Sequence, residues 1–280
     1  MKPLLSALAL FLSAMSSPSA SAIQVQGHRG ARMVLPENTL PAFEYAIRAG
    51  ADVLELDLAV TRDNVLVVSH DATMNPKYCT APEGWRGTRM IREMTLAELK
   101  RWDCGTPANR DFPRQKAVPG TRVPTLDEVL ALAPRGSFHF NIELKSNPRR
   151  PEQTPPAAEF ARMVADAVHA RKLADRVNVQ SFDFRNLTAM KGIAPDIRMA
   201  ALFEPGGHDV VNEALAAGAV ISSPHYSYIT PELVARAHKA GLQVIPWTAN
   251  DEATWRRLVD AGVDAIITDD PAALIAYLKR

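Results

Sequence analysis

Two acidic residues two positions apart stand in the run VLELDLA, where Glu55 and Asp57 are flanked almost entirely by apolar side chains. Side chains alternate along an extended strand, so both point to the same face. Carboxylates placed side by side in an apolar interior repel each other and lose hydration, and a compensating cation is needed to offset both costs. The run NIELKS repeats the device, with Glu143 and Lys145 sharing a face of a second strand. A third carboxylate and a cation thereby come within reach of each other. Three carboxylates without clustered Cys or His describe a hard oxygen site for one divalent cation, Ca2+ or Mg2+ rather than Zn2+. The competing reading is a Glu143–Lys145 pair on a solvated strand edge, which the apolar density of both runs disfavours.

Histidine supplies the second half of the chemistry. In GHRG, Gly27 and Gly30 bracket His28 and Arg29, and glycine there would let the backbone approach a ligand closely. Arg29 offers a planar fork that matches phosphate oxygens. Taken alone, His28 reads better as a structural histidine. A second histidine, His70, is delivered to the same end of the sheet, so two imidazoles can act as acid and base on opposite sides of a scissile bond. His139, His169, His208, His225 and His238 fall on helices, loops or the alternate strand face and are assigned no role.

The elements that position these groups alternate short β-branched runs with amphipathic helices, the pattern of a parallel sheet wound with helices. Eight strands are expected, at 23–28, 53–59, 138–145, 177–182, 199–203, 219–222, 243–248 and 265–268. Helices such as LPAFEYAIRAG, AAEFARMVADAVHARKL and PELVARAHKAG separate them, and PAALIAYLKR supplies the last. The fold class is therefore α/β, a TIM (β/α)8 barrel. One extra run, VLVVSH, follows the second strand after a link too short for a parallel crossover, so it folds back as a hairpin. With the turn at Arg62 to Asn64, facing residue numbers sum to roughly 126, which returns Ser69 to Asp71 beside Asp57 and Glu55. Residues 71–124 break the rhythm and read as an inserted cap segment over the active face, containing one modest helix candidate, TLAELKRW.

Composition narrows the class further. The 280 residues are 47% hydrophobic with a formal net charge of +1, which excludes a disordered chain and gives no basic excess for nucleic acid. The start, with Lys2, an apolar run from Leu4 to Met15 and then Ala20-Ser21-Ala22, has the form of a signal peptide cleaved after residue 22. It is too short to span a bilayer, and no later segment is apolar enough. The expectation is an exported protein of residues 23–280, periplasmic or secreted, without a stable membrane anchor. Its two cysteines, Cys79 and Cys104, would reach a compartment where disulfides persist. A bridge stapling the cap is expected; two separate thiols are the alternative.

The run from Gly27 to Asp71, GHRGARMVLPENTLPAFEYAIRAGADVLELDLAVTRDNVLVVSHD, carries HRG, PENT, GAD followed by E-x-D, T-x-D and HD, and NIELK, VQSF, PWTAN and IITDDP follow in order. In this the chain resembles the glycerophosphodiester phosphodiesterases, barrel enzymes related to phosphatidylinositol-specific phospholipase C. The resemblance covers essentially all of residues 23–280. It implies that His28 and His70 are the catalytic acid and base, and that Glu55, Asp57 and Glu143 hold the divalent cation. It further implies that Arg29 and Lys145 bind phosphate and that Trp247 walls a glycerol pocket. The small-molecule substrate would be a deacylated phospholipid such as glycerophosphocholine, cleaved to glycerol 3-phosphate and an alcohol. A phospholipase acting on intact lipid and a catalytically inactive barrel used for binding or adhesion are the alternatives. The segment from Tyr78 to Gly120 departs from the family in composition and carries both cysteines.

Overall fold

Nine strands and the helices between them follow from residue pattern and caps, and the computed structural model describes residues 23–107 and 109–280. The expected signal segment lies outside the described residues. In chain order the main elements are β1 (Gln24–Gly27), α1 (Leu40–Ala49), β2 (Val53–Val60), β3 (Leu66–Val68), α2 (Leu96–Leu99), α3 (Leu126–Leu130), β4 (His139–Leu144) and α4 (Ala157–Ala170). They continue with β5 (Val177–Ser181), α5 (Phe184–Ile193), β6 (Arg198–Phe203), α6 (Asn212–Ala216), β7 (Ile221–Pro224), α7 (Pro231–Lys239), β8 (Gln243–Val244), α8 (Glu252–Asp260), β9 (Ala265–Thr268) and α9 (Pro271–Leu278).

Local chemistry sets the helix ends. Thr39 caps α1 by accepting from the Ala42 N–H, and Gly50 ends it in the left-handed region at φ 89°. Thr125 and Glu128 form a reciprocal capping box on α3, and Asp251 and Asp270 cap α8 and α9.

The sheet runs β8-β7-β6-β5-β4-β2-β1-β9, all parallel, with β3 added antiparallel to β2. Closure is made outside the regular ladder. Asp264 N–H donates to Val244 O, Ile267 N–H to Pro246 O, and Ala249 N–H to Ile267 O, joining the β8 segment to β9. The expected strand over 243–248 is therefore cut to two residues, because Pro246 has no N–H to give a ladder. The strand expected at 219–222 begins two residues later and ends at Pro224.

The hairpin forms in the expected register. Leu58 faces Val68, Ala59 faces Val67 and Val60 faces Leu66, each pair summing to 126, and Ser69 N–H closes the pairing on Asp57 O.

Apolar residues sort into three clusters. The main one lies between sheet and helices and includes Leu54, Leu56 and Leu58, the outward face of β2. A small one, Ala200, Ile221, Ile245, Ala265 and Ile267, fills one side of the barrel interior. Polar residues of β1, β2, β4 and β5 fill the other side, including Gln26, Glu55, Asp57, Asn141, Glu143 and Gln180, all buried.

The third cluster belongs to the segment after β3. Met74, Ile91, Met94, Leu99, Trp102 and Val123 pack on Ala59 and Val67 of the hairpin. Here the helix expected from TLAELKRW shrinks to the single turn of α2, since Trp102 packs into this cluster instead of extending it. Cys79 and Cys104 are disulfide-bonded across a separation of 25 residues. A cross-link of that span stabilises by roughly 3.5 kcal/mol in the loop-entropy account. The double variant Cys79→Ser/Cys104→Ser is expected to melt several degrees lower than the parent under oxidising conditions, measured by circular dichroism. Unchanged melting would show that the segment holds itself together without the bridge.

Candidate active site

At the carboxyl ends of β2 and β4, strand register pairs Asp57 with Glu143. Glu55, Asp57 and Glu143 each present a carboxylate oxygen within 4.8 Å of the other two. Two cations face them. Arg29 Nε lies 3.3 Å from Asp57 Oδ2, and Lys145 Nζ lies 2.9 Å from Glu143 Oε1 and 3.7 Å from Asp57 Oδ1. The solvated surface pair is thereby excluded, since Glu143 is 6% exposed.

The charges do not balance, and the protonation preferences show where the deficit falls. Burial would raise Asp57, but Arg29, His70 and Lys145 outweigh it and hold this carboxyl well below the usual range. Burial raises Glu55 far above the usual range, reinforced by the negative charges of Asp57 and Glu143. Glu143 is also raised, by burial first, with Lys145 opposing and Asp57 adding. Three carboxylates thus share two cations, and Glu55 is left under-neutralised. A divalent cation fits this donor set, which is all hard oxygen, gathered to one point and short of positive charge.

Arg29 sits at φ 51°, in the left-handed region that disfavours a side chain. That conformation lets its backbone N–H donate to Glu55 Oε2 at 2.8 Å while its Nη1 reaches Glu37 Oε1 at 2.7 Å. Burial opposes its charge, yet Asp57, Glu37 and Glu55 hold its proton more tightly than usual. The glycines around it serve a different purpose from the one expected. A Cβ on Gly27 would meet Gly30 O at 2.2 Å, and one on Gly30 would meet the Ala42 backbone at 2.8 Å. They allow α1 to pack closely on the turn, and the chain they admit is the protein's own.

Each histidine is anchored through one ring nitrogen. His28 Nδ1 lies 2.5 Å from Asp269 Oδ1, and His70 Nδ1 lies 2.8 Å from Asp71 Oδ1. An ionised carboxylate only accepts, so each Nδ1 carries the proton and each Nε2 is left free. His28 Nε2 points toward Glu55, 4.0 Å from its Oε2. Burial lowers the His28 pKa, with Asp269 opposing and Arg29 and Arg32 adding. The anchors are themselves held, Asp269 by Asn250 Nδ2 at 2.8 Å and Asp71 by Asn75 Nδ2 at 2.7 Å.

Both histidines border a cavity of about 200 Å³ that also takes in Arg29, Glu55, Glu143 and Lys145. Trp247 and Phe182, in edge-to-face contact at 5.4 Å between ring centres, wall its far side. A larger groove of about 620 Å³ adjoins it, sharing His70, Glu143, Lys145 and Phe182. It runs between Asp71–Thr73 and the loops after β4 and β5, and His28 does not reach it.

Every residue singled out from the sequence therefore gathers here: His28, His70, Arg29, Lys145, Trp247, Glu55, Asp57 and Glu143. Sequence reasoning missed the supporting shell of Glu37, Asn38, Asp71, Gln180, Asn250 and Asp269. Asn38 Nδ2, for instance, donates to Asp57 Oδ2 at 2.9 Å. All six lie in the PENT, HD, VQSF, PWTAN and IITDDP runs, which marked them as a group without disclosing their partners. Of the histidines given no role, His169, His208 and His238 pair with surface carboxylates. His225 instead packs on Trp247 with ring centres 5.4 Å apart.

Without a cation, the folded protein keeps protons on Glu55 and Glu143 above the ordinary value of 4.5. Both then subtract from stability as pH rises from there through their raised folded values. A divalent cation at a hundredfold excess over its apparent dissociation constant stabilises by about 2.7 kcal/mol in all, and proton competition weakens its binding as pH falls. Thermal melts in chelator and in millimolar Ca2+ or Mg2+ are expected to separate further as pH rises from acid to neutral. A separation independent of pH would count against a carboxylate cation site.

A sequence model of the glycerophosphoryl diester phosphodiesterase family matches residues 28–273. The chain is 35% identical over 256 residues to the glycerophosphodiester phosphodiesterase of Caldanaerobacter subterraneus subsp. tengcongensis, covering 91% of this chain and 98% of that one. A crystal structure from Silicibacter pomeroyi bearing the same family's name superposes with a TM-score of 0.86 at 33% identity, over 94% of each chain. A phosphodiesterase from Oleispira antarctica, solved with the product sn-glycerol-3-phosphate, shares the fold at a TM-score of 0.77 and 23% identity, over 92% of this chain and 97% of that one.

Proposed function

The chain belongs to the glycerophosphoryl diester phosphodiesterase family and is a phosphodiesterase; from that premise we propose that it splits deacylated phospholipids such as glycerophosphocholine into glycerol 3-phosphate and an alcohol. In this reading His28 and His70 are the proton-transfer pair, and Glu55, Asp57 and Glu143 hold one divalent cation, Ca2+ or Mg2+. The observation that carries it is the meeting of two aspartate-anchored imidazoles with three carboxylates and two fixed cations around one cavity.

The cavities suggest how a diester would lie. Glycerol suits the smaller space, against Trp247 and Phe182, and the other alcohol extends into the larger groove. The phosphate then sits at their junction beside Lys145 and Arg29, whose fixed charges oppose the negative charge that builds as the bond breaks. When bound, the divalent cation would supply further neutralisation of the phosphate oxygens. His28, confined to the smaller cavity, is placed to take the proton from the attacking oxygen through Nε2. In this reading His70, on the border of both, gives the departing alcohol a second proton carried on Nε2 while its Nδ1–H stays on Asp71. Asp269 and Asp71 hold each ring so that Nε2, not Nδ1, faces the reaction.

Export completes the reading. It is supported by the Lys2, Leu4–Met15 and Ala20-Ser21-Ala22 pattern and by the Cys79–Cys104 bridge, which suits an oxidising compartment.

Protein comprising residues 23–280 is expected to release glycerol phosphate from glycerophosphocholine, to stop in excess chelator and to recover when Ca2+ or Mg2+ is returned. Full turnover after exhaustive chelation would overturn the cation's part.

His28→Ala and His70→Ala should each slow this reaction by a factor of about 10² to 10⁴. A nitrophenyl leaving group needs little protonation, so it should restore His70→Ala far more than His28→Ala. Equal restoration would remove the division of labour, and near-parental rates in both variants would remove the histidines from the chemistry.

A further inference from the structure

Glu55 is held at both of its oxygens. Oε2 accepts from the Arg29 backbone N–H at 2.8 Å, and Oε1 accepts from Gln180 Nε2 at 2.9 Å. Gln180 Oε1 in turn accepts from Asn141 Nδ2 at 2.9 Å, and the same Nδ2 donates to Gln26 Oε1 at 2.9 Å. All three amides are buried in the barrel, none more than 2% exposed. They come from β5, β4 and β1, and Asn141 stands opposite Glu55 in the register of β4 with β2.

The direction of every hydrogen bond in this chain is dictated from its Glu55 end. With the cation bound, Glu55 is ionised and has no proton to give, so Gln180 turns its NH2 toward Glu55 and its carbonyl away. That carbonyl needs a donor, which Asn141 provides. Gln26 shares the same NH2 group and so pins Asn141 in that orientation.

Barrel stability does not call for this arrangement. The other side of the interior is filled by Ala200, Ile221, Ile245, Ala265 and Ile267. The amide chain, by contrast, leaves Gln26 Nε2 and Asn141 Oδ1 without a hydrogen-bond partner among the described residues. Unpaired polar atoms in a dry interior cost stability that apolar side chains would not. The compensating gain has to be sought at the end that touches Glu55.

We infer that Gln26, Asn141 and Gln180 form a positioning relay that fixes the orientation of Glu55 toward the divalent cation and so sets the affinity of the carboxylate site. This inference rests on the cation reading given above. Glu55 is the carboxylate in greatest need of such support, because neither Lys145 nor the Arg29 guanidinium makes an ion pair with it. Groups that orient a ligand from behind typically change metal affinity by about 10- to 100-fold when removed.

The test is calorimetric titration of the purified protein with Ca2+ and with Mg2+, which reads binding without reference to turnover. Gln180→Met keeps the volume and deletes the donor to Glu55; it is expected to weaken binding by about 10- to 100-fold. Asn141→Asp reverses the polarity at the middle of the relay. A carboxylate there accepts the Gln180 NH2, which swings the Gln180 carbonyl against Glu55. This variant is expected to weaken binding as well, although the added negative charge would by itself favour a cation. Thermal melts in chelator establish that each variant is folded, and if Asn141→Asp does not fold, Asn141→Leu, which removes the donor to Gln180 at similar volume, takes its place. Folded variants that both bind as the parent does overturn the relay and leave the cation site standing. Weakening by Gln180→Met with none by folded Asn141→Asp also overturns it, leaving only a direct contact. A parent protein that binds neither ion overturns the relay and the cation site together.

Discussion

Negative charge buried faster than positive charge is the constraint around which this molecule is organised. Glu55, Asp57 and Glu143 project into the barrel from adjacent strands, and Arg29 and Lys145 are the two cations facing them. The consequences spread outward. Arg29 adopts a left-handed backbone so that its N–H and its guanidinium serve different carboxylates. Glu37 then needs its own second partner, and Arg32 Nη2 meets it at 2.8 Å. The polar half of the barrel interior exists because an isolated carboxylate there would otherwise find nothing but hydrocarbon.

The same constraint explains why the site is under-neutralised and yet well ordered. Full pairing by side chains would leave no electrostatic reason for a cation to enter. Partial pairing keeps the carboxylates converged, while the walls around them stay rigid. The two imidazoles are arranged on similar lines. Each is fixed through Nδ1 by an aspartate that is itself hydrogen-bonded, so Nε2 is oriented by contacts away from the cavity.

Much of this was legible in the sequence because it depends on short-range geometry. Strand alternation places Glu55 with Asp57 and Glu143 with Lys145 without reference to anything distant. The hairpin register follows from the turn at Arg62 to Asn64, and with it the position of His70. What could not be read were partnerships across the barrel. His28 and Asp269 are separated by 241 positions, and nothing local to either announces the other. The polarity of the Gln26–Asn141–Gln180 chain is equally invisible, because an amide in a strand reads as a weak polar interruption until its neighbours are known. The early end of the strand expected at 243–248 has a local cause, since Pro246 removes a donor where the apolar pattern continues.

The two histidines also differ in what carries them. His28 directly follows β1 of the barrel wall, whereas His70 lies beyond β3, on the chain that leaves the barrel to build the disulfide-bonded segment with its own apolar cluster. Asp71 and Thr73, at the root of that excursion, also border the larger groove. Such a layout divides the protein into two structural compartments, the barrel strands and the disulfide-bonded segment. A change at Ala72 or Thr73 would reshape one wall of the groove while the strands that hold the carboxylates keep their register. The shape of the groove can therefore change without the barrel's carboxylates having to move.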